Sequence, residues 1–273
     1  MNATAMTTRT LQLGNGLEIT IDERGDAAGS GGTGVLLLHG GAGPRSVAGL
    51  AGALSEHGYV VTPVHPGFDG TPRAPWLDSV GDLADAYLDL LAELKLDAVM
   101  VIGNSIGGWI ASEIALRDIE GRVKSVVLIN ATGIRPDHPE QVVDIRGMGP
   151  AEIGKLSFHN PALLPNPATL TDEQRAAAAA NQQAMAIYGG ADFFFAPKLR
   201  RRLHRVTVPV LVAWGEADGI FPAEYGRAYA GAFRDGHFTA IAAAGHMPQI
   251  EQPGAVLRAI GDFVDTVVRP DGD

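Results

Sequence analysis

Ser105 stands in Gly103-Asn104-Ser105-Ile106-Gly107-Gly108, directly after the apolar run at 99–102 and ahead of a helical pattern. A serine at such a strand-to-helix turn can be presented as a nucleophile. The strained backbone passes close to its own chain, and only small neighbours fit. The pentapeptide alone also occurs as an ordinary Gly-rich turn, so its weight depends on partners. A serine hydroxyl attacks a carbonyl only when an imidazole takes its proton and a carboxylate orients that imidazole. Asp218, in Gly215-Glu216-Ala217-Asp218-Gly219, and His246, in Ala244-Gly245-His246-Met247-Pro248, supply those groups, in the chain order Ser, Asp, His. Upstream, His39-Gly40-Gly41-Ala42-Gly43 leaves main-chain N–H groups uncovered. Gly41 N–H and Ile106 N–H are the expected oxyanion donors, and loss of one such donor costs about 3 kcal/mol of transition-state stabilisation.

Each of these groups has to be carried at a strand end. Apolar runs at 35–38, 59–64, 99–102, 123–129, 208–214 and 237–242 read as strands, and 11–21 reads as a strand pair turned at Gly14-Asn15-Gly16. Helical spacing at 46–57 and 79–94 alternates with them. The Gly/Ser-rich connector at 26–34 lacks the Gly-Lys-Ser/Thr ending of a phosphate loop. From about Gly133 the rhythm changes. Prolines at 136, 139, 150, 161, 165 and 167 break the chain, and Thr171-Asp172-Glu173-Gln174 opens an Ala-rich helix with capping-box spacing.

With the oxyanion loop, elbow, acid and histidine segments in register, the chain resembles the α/β-hydrolase superfamily from about residue 10 to its end. The resemblance implies an eight-stranded, mostly parallel sheet with helices on both faces. It also implies a helical lid after the sixth strand, and neither metal nor organic cofactor. The expected division is a core at 10–132, a lid at 133–205 and the rest of the core at 206–269.

Composition fits one such unit: 273 residues, 46% of them hydrophobic, fill one large core with a small lid. A formal charge of −10 disfavours nucleic acid or an anionic membrane as partner and leaves a small-molecule substrate. With no cysteine there is no disulfide, thiolate metal site or cysteine nucleophile. The first ten residues lack a signal-peptide core, and no apolar stretch is long enough to span a bilayer, so a cytoplasmic protein is expected. The oligomeric state, monomer or homodimer, is not set by the sequence.

Lid residues commonly line the pocket, which makes Phe158, Met185, Tyr188 and Phe193-Phe194-Phe195, with Asn104 and Met247 from the core, the candidates for substrate contact. The alternative is that the lid side chains only glue the lid down. The basic stretch 198–205 is expected to be a solvated helical face. Of eight histidines, His246 is the base. His39 and His65 are expected to be packing groups, and the remaining five lack a carboxylate-after-strand partner. Glu216 lies too near its strand end to replace Asp218, and Asn130, after the sixth strand, is an amide without charge.

The same machinery cleaves esters, lactones, thioesters and certain carbon–carbon bonds. Family members with Asp at the elbow dehalogenate or open epoxides, and here the position is Ser105. Asn104 and the glycine-rich His39 loop are also similar to the meta-cleavage-product hydrolases. Against that, Met247 stands where those enzymes often carry Trp, and no lid arginine matches their carboxylate clamp by motif. A serine hydrolase of small apolar carboxylic esters, or of lactones or thioesters, is the expected function, with C–C hydrolysis second and a weakly catalytic small-ligand receptor third.

Overall fold

The computed structural model describes residues 6–164, 166–192 and 194–269, so Pro165 and Phe193 of the expected lid lie outside the described residues. Eight strands form: β1 Thr7–Gln12, β2 Glu18–Arg24, β3 Thr33–Leu38, β4 Val60–Pro63, β5 Ala98–Asn104, β6 Val123–Ile129, β7 Val210–Gly215 and β8 Gly236–Ile241. Around them lie α1 Ala48–Leu54, α2 Val80–Glu93, α3 Ile106–Arg117, α4 Pro150–Ser157, α5 Asp172–Gly189, α6 Ala223–Ala230, α7 Pro248–Glu251 and α8 Pro253–Phe263.

The strands build one sheet in the order β1-β2-β4-β3-β5-β6-β7-β8, in which β2 alone runs antiparallel to its neighbours. Its inner strands are continuous apolar runs because both faces are covered. On one face Leu36, Leu38, Val101, Val126 and Val212 pack against α2, α3 and α6 through residues such as Leu83, Tyr87, Ile110 and Tyr229. On the other face Leu37, Ile102, Val127 and Leu211 meet α1 and α8 through Leu50, Val256, Ile260 and Phe263. α2 starts where the sequence says it should, with Ser79 and Asp82 in a reciprocal capping box. Such a cap stabilises a helix end by about 1 kcal/mol.

After β3 the chain goes to β4 on one side and then returns to place β5 on the other. The loops leaving β3 and β5 therefore diverge at a topological switch point, the usual place for a ligand in an open parallel sheet. Those loops are the His39 loop and the Ser105 turn. The acid and histidine segments follow β7 and β8 at the same carboxyl edge.

Between β6 and β7 the chain leaves the sheet as a helical insertion holding α4, α5 and four single 3-10 turns. Thr171 and Gln174 cap α5 reciprocally, as the spacing predicts. One stripe of α5 is buried: Asn181, Ala184 and Tyr188. Asn181 Oδ1 accepts from Asp69 N–H at 2.8 Å, and Tyr188 OH donates to Pro66 O at 2.8 Å. The expected helical face over 198–205 is not formed. Turns and a 3-10 segment Leu203–Arg205 replace it, because Leu199 and Leu203 both enter the core and Arg202 pairs with the buried Glu113. No described helix is long and apolar enough to cross a membrane.

Candidate active site

Ser105 occupies the first position after β5 with φ 55 and ψ −120, a left-handed conformation that costs a non-glycine residue on the order of 1–3 kcal/mol. The surroundings enforce it. Ser105 N–H donates to Ile129 O, and Ser105 O accepts from Gly108, Trp109 and Thr132 N–H. A Cβ on Gly103 would stand 2.2 Å from Gly107 O, and one on Gly107 would stand 2.4 Å from Leu38 O. The two glycines are thus required by close approach of backbone, as the motif implies.

Asp218 and His246 come together: His246 Nδ1 lies 2.7 Å from Asp218 Oδ2, with both side chains buried. An ionised carboxylate only accepts, so Nδ1 carries the hydrogen and Nε2 is left with its lone pair. Asp218 is saturated with donors. Oδ1 accepts from Ile220 N–H at 2.8 Å and Phe221 N–H at 3.1 Å, and Oδ2 also accepts from Asn130 Nδ2 at 2.7 Å. Glu216 is exposed and does not enter the cluster.

The Ser105 turn is tied to the histidine loop through its neighbour, since Asn104 Nδ2 donates to both Ile129 O (3.1 Å) and His246 O (3.3 Å). The Ser105 hydroxyl itself makes no hydrogen bond among the described residues. In resting enzymes such bonds are often long and tighten only with substrate bound. Asn104 therefore holds loops together, while its Oδ1 is buried without a partner among the described residues.

The other expected residues divide. A Cβ on Gly41 would meet the Met185 side chain at 3.3 Å, so α5 covers the proposed oxyanion loop. Ile106 begins α3, whose first-turn N–H groups carry partial positive charge. Phe194 is buried edge-on against Phe221, and the Phe221 ring lies 6.1 Å from that of His246 and nearly parallel to it. Met247 is buried beside His246, and Phe158 is half-buried just after α4. Tyr188 spends its hydroxyl on Pro66 and fastens the helical insertion to the core. Sequence reasoning missed Phe221 and the use made of Asn130, which orients the carboxylate instead of competing with it. The signal available for Asn130 was a polar residue directly after the apolar run at 126–129.

Below the loop at 39–43 lies a second buried set, apart from Asp218 and His246. The rings of His39 and His65 are 3.7 Å apart. His39 Nδ1 donates to Gly40 O, His39 Nε2 accepts from His65 N–H, and His65 Nδ1 faces Tyr87 OH at 2.5 Å. Every ring nitrogen is committed with both imidazoles neutral. Burial lowers His39 from 6.5 to about 4, and burial, with the neighbouring His39 as the smaller cause, also pushes His65 well below the usual histidine value. A depressed histidine favours the folded state fully above its unfolded value and loses that contribution as pH falls towards the folded one. His39 alone is expected to cost about 2 kcal/mol of stability between pH 7 and pH 5, with His65 adding in the same direction. Urea unfolding at the two pH values measures this, and equal unfolding free energies would contradict it.

The profile described as the Alpha/beta hydrolase family matches residues 35–259. The chain is 29% identical over 251 residues to the pimeloyl-[acyl-carrier protein] methyl ester esterase of Aromatoleum aromaticum, covering 84% of this chain and 97% of that one. It is 24% identical over 272 residues to the 2-hydroxy-6-oxo-2,4-heptadienoate hydrolase of Pseudomonas putida, covering 92% and 94%. Among solved structures, a thermophilic esterase from Thermogutta terrifontis superposes with a TM-score of 0.72 at 25% identity, covering 96% of this chain and 99% of that one.

Proposed function

Since the chain belongs to the alpha/beta hydrolase family, we propose that it is a serine hydrolase of small, uncharged carboxylic esters, with Ser105, His246 and Asp218 as its catalytic residues. The observation that carries the reading is the buried Asp218–His246 bond at the carboxyl edge of the sheet that also presents Ser105 in its strained turn. In this mechanism Ser105 Oγ attacks the ester carbonyl carbon while His246 Nε2 takes its proton. The tetrahedral oxyanion accepts from Gly41 and Ile106 N–H. Collapse breaks the bond to the leaving alcohol, which receives the proton from His246, and leaves an acyl-Ser105. Water then repeats the sequence, with His246 removing its proton, and releases the acid and free serine.

An uncharged acyl group is favoured by how the lid spends its cations. Arg146, Arg175, Arg200 and Arg202 pair with Asp144, Asp172, Asp137 and Glu113, and Arg135, Lys155, Lys198, Arg201 and Arg205 are exposed. A dienoate carboxylate of the meta-cleavage type would need a desolvated cation. Phe194, Phe221, Met185 and Met247 instead offer apolar surface around the base and oxyanion loop. Assaying a series of p-nitrophenyl esters beside a ring-fission dienoate separates the reactions. Ester turnover is expected to dominate. C–C cleavage exceeding it would overturn the assignment, and tight ligand binding with no turnover of any substrate would point to a receptor.

A further inference from the structure

The loops that carry the acid and the base are fastened to the lid, and one side chain completes the fastening. α4 ends in carbonyls that an isolated helix would leave unpaired. Here Leu156 O accepts from Gly219 N–H at 2.9 Å, one residue past Asp218, and Ser157 O accepts from the N–H of His246 itself at 2.7 Å. The approach is close enough to demand glycine at both neighbours. A Cβ on Gly219 would stand 2.8 Å from Leu156 O, and one on Gly245 would stand 2.5 Å from Ser157 O. Glu251, at the end of α7, then bridges the same two segments. Its Oε2 accepts from Gly245 N–H at 2.6 Å and its Oε1 from Asn160 N–H at 2.8 Å.

We infer that Glu251 is a positioning residue that makes the placement of the catalytic imidazole depend on docking of the α4 half of the lid, an inference that rests on His246 being the base. The two halves of the lid then do different work. α5 covers the oxyanion loop through Met185, whereas residues 156–160 form part of the mount for His246 and Asp218. A carboxylate suits the bridge because it offers two acceptors in one plane and no donor, matching two converging N–H groups. Releasing either bond frees the His246 main chain to shift. A displacement of about 1 Å at a catalytic group lowers turnover by up to about 10²-fold.

The test compares the full-length protein with Glu251→Ala, Glu251→Gln and Gly245→Ala, reading kcat and KM on p-nitrophenyl butyrate, Tm, and amide hydrogen exchange. Glu251→Ala is expected to lower kcat by about ten- to a hundredfold with KM within about twofold. Exchange should accelerate together at 157–160 and 244–247 and stay unchanged in α5. Glu251→Gln keeps one acceptor oxygen and is expected to fall between Ala and wild type. Gly245→Ala should reproduce the coupled exchange from the other side, and it keeps the question answerable if Glu251→Ala does not fold. Unchanged kcat in Glu251→Ala, a rise in KM alone, or faster exchange on only one of the two segments would each overturn the inference. The exchange coupling is read without substrate, so its failure is distinguishable from failure of the esterase assignment, which shows as turnover that survives loss of Ser105.

Discussion

Replacing Ser105 with Ala is expected to lower p-nitrophenyl ester turnover by on the order of 10⁵-fold or more, with an unchanged circular dichroism spectrum and Tm. The loss is large because, in the proposed mechanism, every later step needs a covalent acyl group on that oxygen. The fold is spared because the Ser105 side chain supports nothing: the turn is held by its main-chain N–H and C=O and by the close contacts of Gly103 and Gly107. Ser105→Gly separates the chemical role from the conformational one. It should be equally inactive, yet more stable by about 1 kcal/mol, because glycine adopts φ 55 at little cost. Turnover by Ser105→Ala equal to wild type would remove the nucleophile assignment.

Asp218→Asn should lower kcat by about 10⁴-fold, and the hydrogen bonds around the carboxylate give the reason. Oδ1 accepts two main-chain N–H groups, from Ile220 and Phe221, which fixes the amide oxygen of an asparagine on that side. Its NH₂ group must then occupy the Oδ2 position, facing the Nδ2 donor of Asn130 and Nδ1 of His246. The imidazole can accept there only by moving its hydrogen to Nε2, the atom that has to take the proton of Ser105. The donor–donor contact with Asn130 adds about 1–3 kcal/mol of destabilisation. A kcat within tenfold of wild type for a folded Asp218→Asn protein would place the acid elsewhere.

Much of this was legible in the chain because the relevant signals are local. Small residues around Ser105, a capping box before α5 and apolar runs stopping at polar loops each follow from short-range sterics or burial, and the structure forms the corresponding turn, helix and strands. The eight-stranded sheet and its helical insertion after β6 agree with the fold that those segments suggested. What stayed hidden depends on contacts between distant segments. Glu251 meets Asn160 across 91 positions and Asn130 meets Asp218 across 88, and no periodicity marks either pair. The stretch 198–205 misled for a related reason. Its charges suggest solvent, but two leucines at 199 and 203 bury fully and pull the backbone into turns.

Leu156 and Ser157 reach the neighbouring loops with carbonyl oxygens, atoms that every amino acid possesses. Side chains on that stretch can therefore be exchanged for others of different bulk or polarity without severing the attachment, provided the helical path is kept. Half-buried Phe158 and Ile153 lie within reach of such redecoration. Libraries confined to 151–158 should accordingly yield altered acyl preference more often than dead protein, whereas any side chain added at 219 or 245 should loosen the attachment itself.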